Sequence, residues 1–180
     1  MNVRRTRIAT AAASTLVAAL ALTGLSSTGA TAAPAKAKAS KRLTCVGDNT
    51  KVTVSKVSRP VNHLLVKITN TGTRNCDAYY APTVSFDNDT WHAKIIKDSM
   101  PQAVVTLAPG ESGYASLGLS GDGTGHHRHK ASHATLSFSA IGGGSTHTVP
   151  DELELPAGTV VDDGAYVSYW QYTAADALIW

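Results

Sequence analysis

Four of the chain's seven histidines fall within Gly125-His126-His127-Arg128-His129-Lys130-Ala131-Ser132-His133. On an extended backbone His127 and His129 project to the same side, and two neutral imidazoles so placed suit zinc or copper. A closed site needs one or two further ligands held by the fold, and His126, His133, Asp122 and His147 are the available donors. Arg128 and Lys130 stand among these imidazoles and oppose a cation. The same stretch reads equally as a partly charged loop between strands.

Aromatic residues form the second constellation. Tyr79, Tyr80, Trp91, Tyr166, Tyr169, Trp170, Tyr172 and Trp180 far outnumber the two phenylalanines. Tyrosine and tryptophan pair an apolar ring with a polar handle, which suits a half-exposed surface that stacks on sugars or on a partner protein. Tyr79, Tyr80, Tyr166, Trp170 and Tyr172 are the candidate ligand-binding residues, with Tyr166, Trp170 and Tyr172 expected along one face of a single strand. Core packing is the competing role for at least half of the set.

Catalytic patterns are weak by comparison. Ser112 in Gly110-Glu111-Ser112-Gly113 and Ser120 in Gly118-Leu119-Ser120-Gly121 both depart from the G-x-S-x-G elbow, and no helix is predicted after either. His92, Asp98 and the remaining acids are scattered, without a spacing that argues a glycosidase pair. Asp87-Asn88-Asp89 and Asp122-Gly123-Thr124 lack the twelve-residue calcium-loop pattern. The expectation is a protein that is not an enzyme and needs no cofactor.

These residues must be positioned by short strands. Lys51-Val52-Thr53-Val54-Ser55 alternates at period two, and His63 to Asn70 puts Leu64, Val66 and Ile68 on one face. Asn70-Thr71-Gly72 supplies turn residues. An irregular aromatic passage over Asp77 to Pro82 leads into Thr83 to Phe86, and Thr90 to Ile96 reads as the returning strand of a hairpin. Gln102 to Leu107 and Tyr114 to Leu119 flank the turn Ala108-Pro109-Gly110-Glu111. Ser120 to Lys130 is predicted as a loop, Ala134 to Ala140 as a strand with Ala134, Leu136 and Phe138 inward, and Ala165 to Tyr172 as the last strand. Short strands are also expected at His147 to Val149 and Glu152 to Leu155, and the tail from Asp176 as a short helix or extended segment. Seven to nine strands without a long amphipathic helix predict an all-β, antiparallel, immunoglobulin-like (Greek-key) β-sandwich, a small barrel being the alternative.

The N-terminus reads as a secretory signal. Arg4, Arg5 and Arg7 precede an uncharged Ala/Leu/Val/Thr run over Ile8 to Leu25, and Ala30-Thr31-Ala32 before Ala33 suits cleavage. The Arg4-Arg5 pair leaves the general and twin-arginine export routes open. Residues 1–32 are thus expected to be removed, 33–42 to form a disordered basic linker, and 43–180 to fold as one domain. Cleavage would leave 13 basic and 13 acidic residues, with six acids and no lysine or arginine over 151–180. That balance excludes nucleic acid as a natural partner. An exported chain whose only cysteines are Cys45 and Cys76 is expected to join them as a disulfide, since no C-x-x-C is present.

The order Cys45, Val66-Lys67-Ile68-Thr69-Asn70-Thr71-Gly72, Cys76, then Val105-Thr106-Leu107-Ala108-Pro109-Gly110-Glu111, resembles the domain of unknown function 4232 family. These are secreted or envelope-attached domains of high-GC Gram-positive bacteria, and the likeness runs from about Leu43 to Tyr172. It implies a β-sandwich stapled by Cys45 and Cys76, and no catalytic residues. Where the family has a Gly-Tyr-Pro-type segment, this chain has Ala78-Tyr79-Tyr80-Ala81-Pro82, without the glycine. The reading as a whole is an exported, non-catalytic binding or structural module at or outside the cell envelope. Its expected partner is a cell-wall glycan or an envelope protein, and the mature protein has no membrane span. A metal-binding envelope protein using the His126–His133 stretch is the second reading and an unrecognised secreted hydrolase the third.

Overall fold

A computed structural model describes residues 42–87, 89–121, 125–146 and 148–180. The expected signal peptide and nearly all of the expected linker lie outside the described residues, as do Asp122 and His147 among the candidate metal ligands. In chain order the strands are β1 (Leu43–Thr44), β2 (Thr50–Lys56), β3 (His63–Asn70), β4 (Cys76–Phe86), β5 (Lys94–Ile95) and β6 (Val105–Leu107). They continue with β7 (Ser112–Gly118), β8 (His129–Lys130), β9 (His133–Ser139), β10 (Asp151–Glu154), β11 (Val160–Val161) and β12 (Tyr166–Val167), followed by a one-turn helix α1 (Ala174–Ala177).

The strands form an immunoglobulin-like sandwich. One sheet runs β1-β4-β9-β10 with β6 also on β4, the other runs β2-β3-β7-β12-β5, and β8 pairs with β11 apart from both. The chain changes sheet between β3 and β4, β4 and β5, β5 and β6, and β6 and β7, so consecutive elements face each other across the core. Period-two patterning explains what fills that core. Leu64, Val66 and Ile68 of β3 and Ala115 and Leu117 of β7 meet Val84 and Phe86 of β4 and Ala134, Leu136 and Phe138 of β9. Each alternate residue goes inward because a strand offers successive side chains to opposite faces. Pairing is antiparallel except at two two-residue contacts, β1 beside β4 and β5 beside β12.

Cys45 and Cys76 are joined, with Cα atoms 4.9 Å apart and both residues buried. The bond ties the end of β1 to the start of β4. Asn70, buried at the end of β3, links the two turn motifs. Its amide Nδ2 donates to Arg74 O and Leu107 O, each at 2.8 Å, and its Oδ1 accepts from Gly72 N at 2.9 Å. Its backbone N–H donates to Glu111 O and its carbonyl accepts from Gly110 N. The Asn70-Thr71-Gly72 and Leu107-to-Glu111 segments are therefore held against each other by one residue.

Three element expectations need correction. Thr90 to Ile96 does not return as a hairpin strand on β4; the chain crosses over, leaving one bond from Ala93 N to Val84 O, and only Lys94–Ile95 is strand, beside β12 in the other sheet. Regular strand stops at Val167: Ser168 N still donates to Ser116 O, but Ser168 Oγ takes the bond from Ser116 N, and pairing with β7 resumes only as an isolated bridge between Gln171 and Tyr114. Part of the expected histidine loop is instead strand β8, paired to β11 through His129 opposite Val161.

Candidate functional site

β4 is eleven residues long and irregular in its middle. Tyr79 pairs with Ser139 and Thr83 with Ser137, so the intervening residues form a bulge. Within it Tyr80 adopts φ 57°, a left-handed conformation that costs a non-glycine residue about 1 kcal/mol or more. Trp170 N donates to Tyr80 O and Ser139 Oγ to Ala81 O, which hold the bulge in place.

The bulge opens one side of a groove of about 420 Å³. Its buried lining is Ala78 and Trp170; Tyr80, Met100, Val104 and Ile141 form its exposed lining, with Tyr79 and Tyr169 between. No lining residue carries a charge. Ile141 is 70% exposed, an aliphatic side chain held in water with no core contact to explain it. Trp170 stacks on Phe138 with centroids 5.9 Å apart, yet its buried indole N–H has no acceptor among the described residues. Tyr79 is bound the other way: its hydroxyl donates to Asp77 Oδ2 at 3.0 Å, and Asp77 Oδ1 accepts from Thr106 Oγ1 at 2.6 Å. Burial, and then that bond to Asp77, push the Tyr79 phenol above its ordinary value, so it remains a neutral donor.

Of the five aromatic candidates the fold brings Tyr79, Tyr80 and Trp170 to this groove. Tyr172 adjoins it, since its hydroxyl donates to the carbonyl of Val104 at 3.0 Å and accepts from Thr106 N at 3.1 Å. Tyr166 is elsewhere. Its ring lies flat over Gly118, where any Cβ would collide with it, and its hydroxyl is 2.9 Å from His63 Nε2. Because His63 Nδ1 donates to Val61 O, Nε2 is the acceptor and the tyrosine donates. Burial raises the Tyr166 phenol, which favours that role. Tyr166, Trp170 and Tyr172 thus do not share one strand face, because regular pairing ends at Val167.

The histidines are dispersed. His126 borders a wider depression of about 1000 Å³ with Lys94, Asp163, Tyr166 and Trp180. His127, exposed, only offers its carbonyl to His129 Nδ1 at 2.9 Å. His129 Nε2 lies 3.5 Å from Asp89 Oδ2 and 3.9 Å from Asp87 Oδ2, and His133 Nδ1 is 3.9 Å from Asp87 Oδ1. Asp87 is tied mainly to the backbone, accepting from Ser132 N and His133 N at 3.2 and 2.9 Å. Desolvation pushes its carboxyl up, but these bonds, the Ser132 hydroxyl and His129 outweigh it and hold the group below its usual value. Among the described residues no three histidine, cysteine, aspartate or glutamate side chains are grouped to hold a metal ion.

Met100 to Val104 and Ile141 were not singled out by residue type. The one sequence signal for them is an isoleucine set immediately before Gly142-Gly143-Gly144, in a turn that gives it nothing to pack on. Among the described residues no helix is long and apolar enough to cross a membrane. The disulfide is compatible with an extracytoplasmic protein. Neither a curated protein nor a solved structure matches the chain. A family model does, over residues 45–171, from the first cysteine through the aromatic segment after β12. With most of the chain matched, the protein belongs to the family described as domain of unknown function (DUF4232).

Proposed function

We propose that this protein is an exported, non-catalytic binding module that works at the cell envelope or outside the cell and engages its partner through the groove between β4 and the Met100–Val104 segment. The observation that carries this reading is Tyr80. A tyrosine is kept in a left-handed conformation, half-exposed, beside the solvated side chains of Met100, Val104 and Ile141. Folding alone favours glycine at such a backbone position and gains nothing from four exposed apolar side chains around one groove. An uncharged, aromatic lining suits a neutral surface, whether a sugar face or an apolar stretch of protein.

Export rests on the signal-like N-terminus and on the disulfide, which suits an oxidising compartment. The test is sedimentation of the mature, oxidised protein with isolated cell walls and with detergent-solubilised envelope proteins. Tyr80→Ala and Ile141→Ser are expected to lower the bound fraction several-fold while melting within a few degrees of wild type, since both side chains are exposed. Binding unchanged in both variants would remove the groove from the function.

A further inference from the structure

We propose that the partner enters as an extended polypeptide that adds a strand to the free edge of β6, with Tyr172 as the displaceable plug of that edge. This rests on the groove being the binding site and specifies what fills it.

β6 pairs with β4 along one side, Val105 opposite Ala78 and Leu107 opposite Cys76. Its other edge has no strand among the described residues. There the carbonyl of Val104 and the N–H of Thr106, an acceptor and a donor flanking Val105, are both satisfied by one atom, the hydroxyl of Tyr172. In a parallel pair, one residue of the added strand donates to the carbonyl before its neighbour and accepts from the N–H after it. The phenol oxygen, donor and acceptor at once, occupies the place of such a residue opposite Val105. Tyr172 is 50% exposed; its backbone is anchored through Gln171, which is bridged to Tyr114 of β7, so displacement of the plug is a swing of the Tyr172 side chain.

The longer sheet margins are charged in the manner that discourages strand addition, Lys51 and Lys56 on β2 and Asp151, Glu152 and Glu154 on β10, and the short β5 carries Lys94; the uncharged β1 and β11 are only two residues long each. β6, with Val105, Thr106 and Leu107, carries no charge. The groove beside it is also uncharged and presents Met100, Val104 and Ile141. Alternate side chains of an added strand therefore meet an apolar, neutral surface, which selects uncharged β-branched or aromatic residues over charged ones.

The probe is a phage-displayed library of random linear peptides, selected on the oxidised protein and on Tyr172→Phe, with affinities of the selected peptides measured by fluorescence polarisation. Enrichment of uncharged, β-prone peptides is expected. Tyr172→Phe, which removes the plugging oxygen and keeps the ring, should bind them several-fold more tightly. Thr106→Pro, which removes the edge N–H, should bind at least about tenfold more weakly, and Thr106→Val, which keeps that N–H and removes only the hydroxyl bonded to Asp77, is the control that separates the two losses. Circular dichroism checks the proline variant; if it fails to fold, the Tyr172→Phe comparison decides alone. Failure to select peptides, or affinities that Tyr172→Phe leaves unchanged or lowers, overturns the strand-addition inference. If isolated cell walls are at the same time bound in a Tyr80-dependent but Tyr172-independent manner, the groove stands as a glycan site and only this inference falls. Loss of Tyr80 dependence in both assays removes the groove itself.

Discussion

At Tyr80 the backbone and the side chain ask for different residues. A φ of 57° favours glycine, yet the position holds a tyrosine, 43% exposed, with its hydroxyl 3.4 Å from Ile141 O. Tyr80→Gly is therefore expected to leave stability unchanged or raise it by up to about 1 kcal/mol, relief of left-handed strain being set against the greater freedom of glycine in the unfolded chain. The same variant should lose binding in the cell-wall and peptide assays. A urea titration showing a loss above about 2 kcal/mol would instead make Tyr80 a packing residue. Asp87 supplies the pH-dependent counterpart. Its folded carboxyl lies below the value of 3.8 of the free group, so its charge stabilises the fold above about pH 4 and that contribution fades as pH falls through the depressed value. Asp87→Asn should be less stable than wild type at pH 7, by under about 1 kcal/mol for a partly solvated charge, and the gap should narrow as the pH is taken progressively below 3.8. Thermal melts across that range check it. Which aromatic residues were exposed could not be read from type alone, since Trp170 is a core residue and Tyr80 a surface one within the same groove.

Alternation placed the core faces of β3, β7 and β9 correctly, because Leu64, Val66, Ile68, Leu117, Leu136 and Phe138 follow a period that only a half-buried strand satisfies. It failed where side chain and solvent do not alternate. Lys94 and Ile95 are both exposed, so residues 90–96 resembled a hairpin strand although only Lys94–Ile95 pairs, and in the other sheet. The long-range role of Asn70 was likewise hidden. From the sequence it is a turn residue; in the fold its buried amide reaches Leu107 O across the sandwich, between sheets, while its backbone holds the Gly110–Glu111 turn. Asn70→Ala leaves the Leu107 carbonyl buried without that donor and frees two turns at once, a cost of about 2–4 kcal/mol. Asn70→Asp should cost at least as much at pH 7, since it keeps the acceptor for Gly72 N but sets a buried carboxylate against the carbonyls of Arg74 and Leu107. Chemical denaturation of the two variants orders them, and an alanine variant as stable as wild type would confine Asn70 to its local turn.

On the scale of the molecule, the covalent staple and the groove are parts of one strand. β4 begins at Cys76, passes Asp77 and Tyr79, bulges at Tyr80 and runs on to Phe86 between β9 and the core. The cysteine pairing was legible because a chain with only two cysteines has one way to join them, while the groove was not, since it is assembled from residues 78–80, 100–104, 141 and 169–170, which no local pattern connects. Cys45 and Cys76 are 31 positions apart, and closing a loop of that size restricts the unfolded chain by about 3–4 kcal/mol. The Cys45→Ala/Cys76→Ala double variant should therefore melt about 10 °C lower than the oxidised protein. The effect should not be uniform. β1 is only two residues long and is held on β4 by a 2.9 Å bond from Cys45 N to Asp77 O, so loss of the staple frees β1 and loosens the support of Asp77, to which Tyr79 and Thr106 are bonded. Amide hydrogen exchange in the double variant should then rise first at Leu43–Thr44, at Cys76 and Asp77 and at β6, with β3 and β7 protected until global unfolding. Partner binding should weaken before the fold is lost. Equal loss of protection in both sheets would mean that the disulfide stabilises the sandwich as a whole and has no particular bearing on the groove.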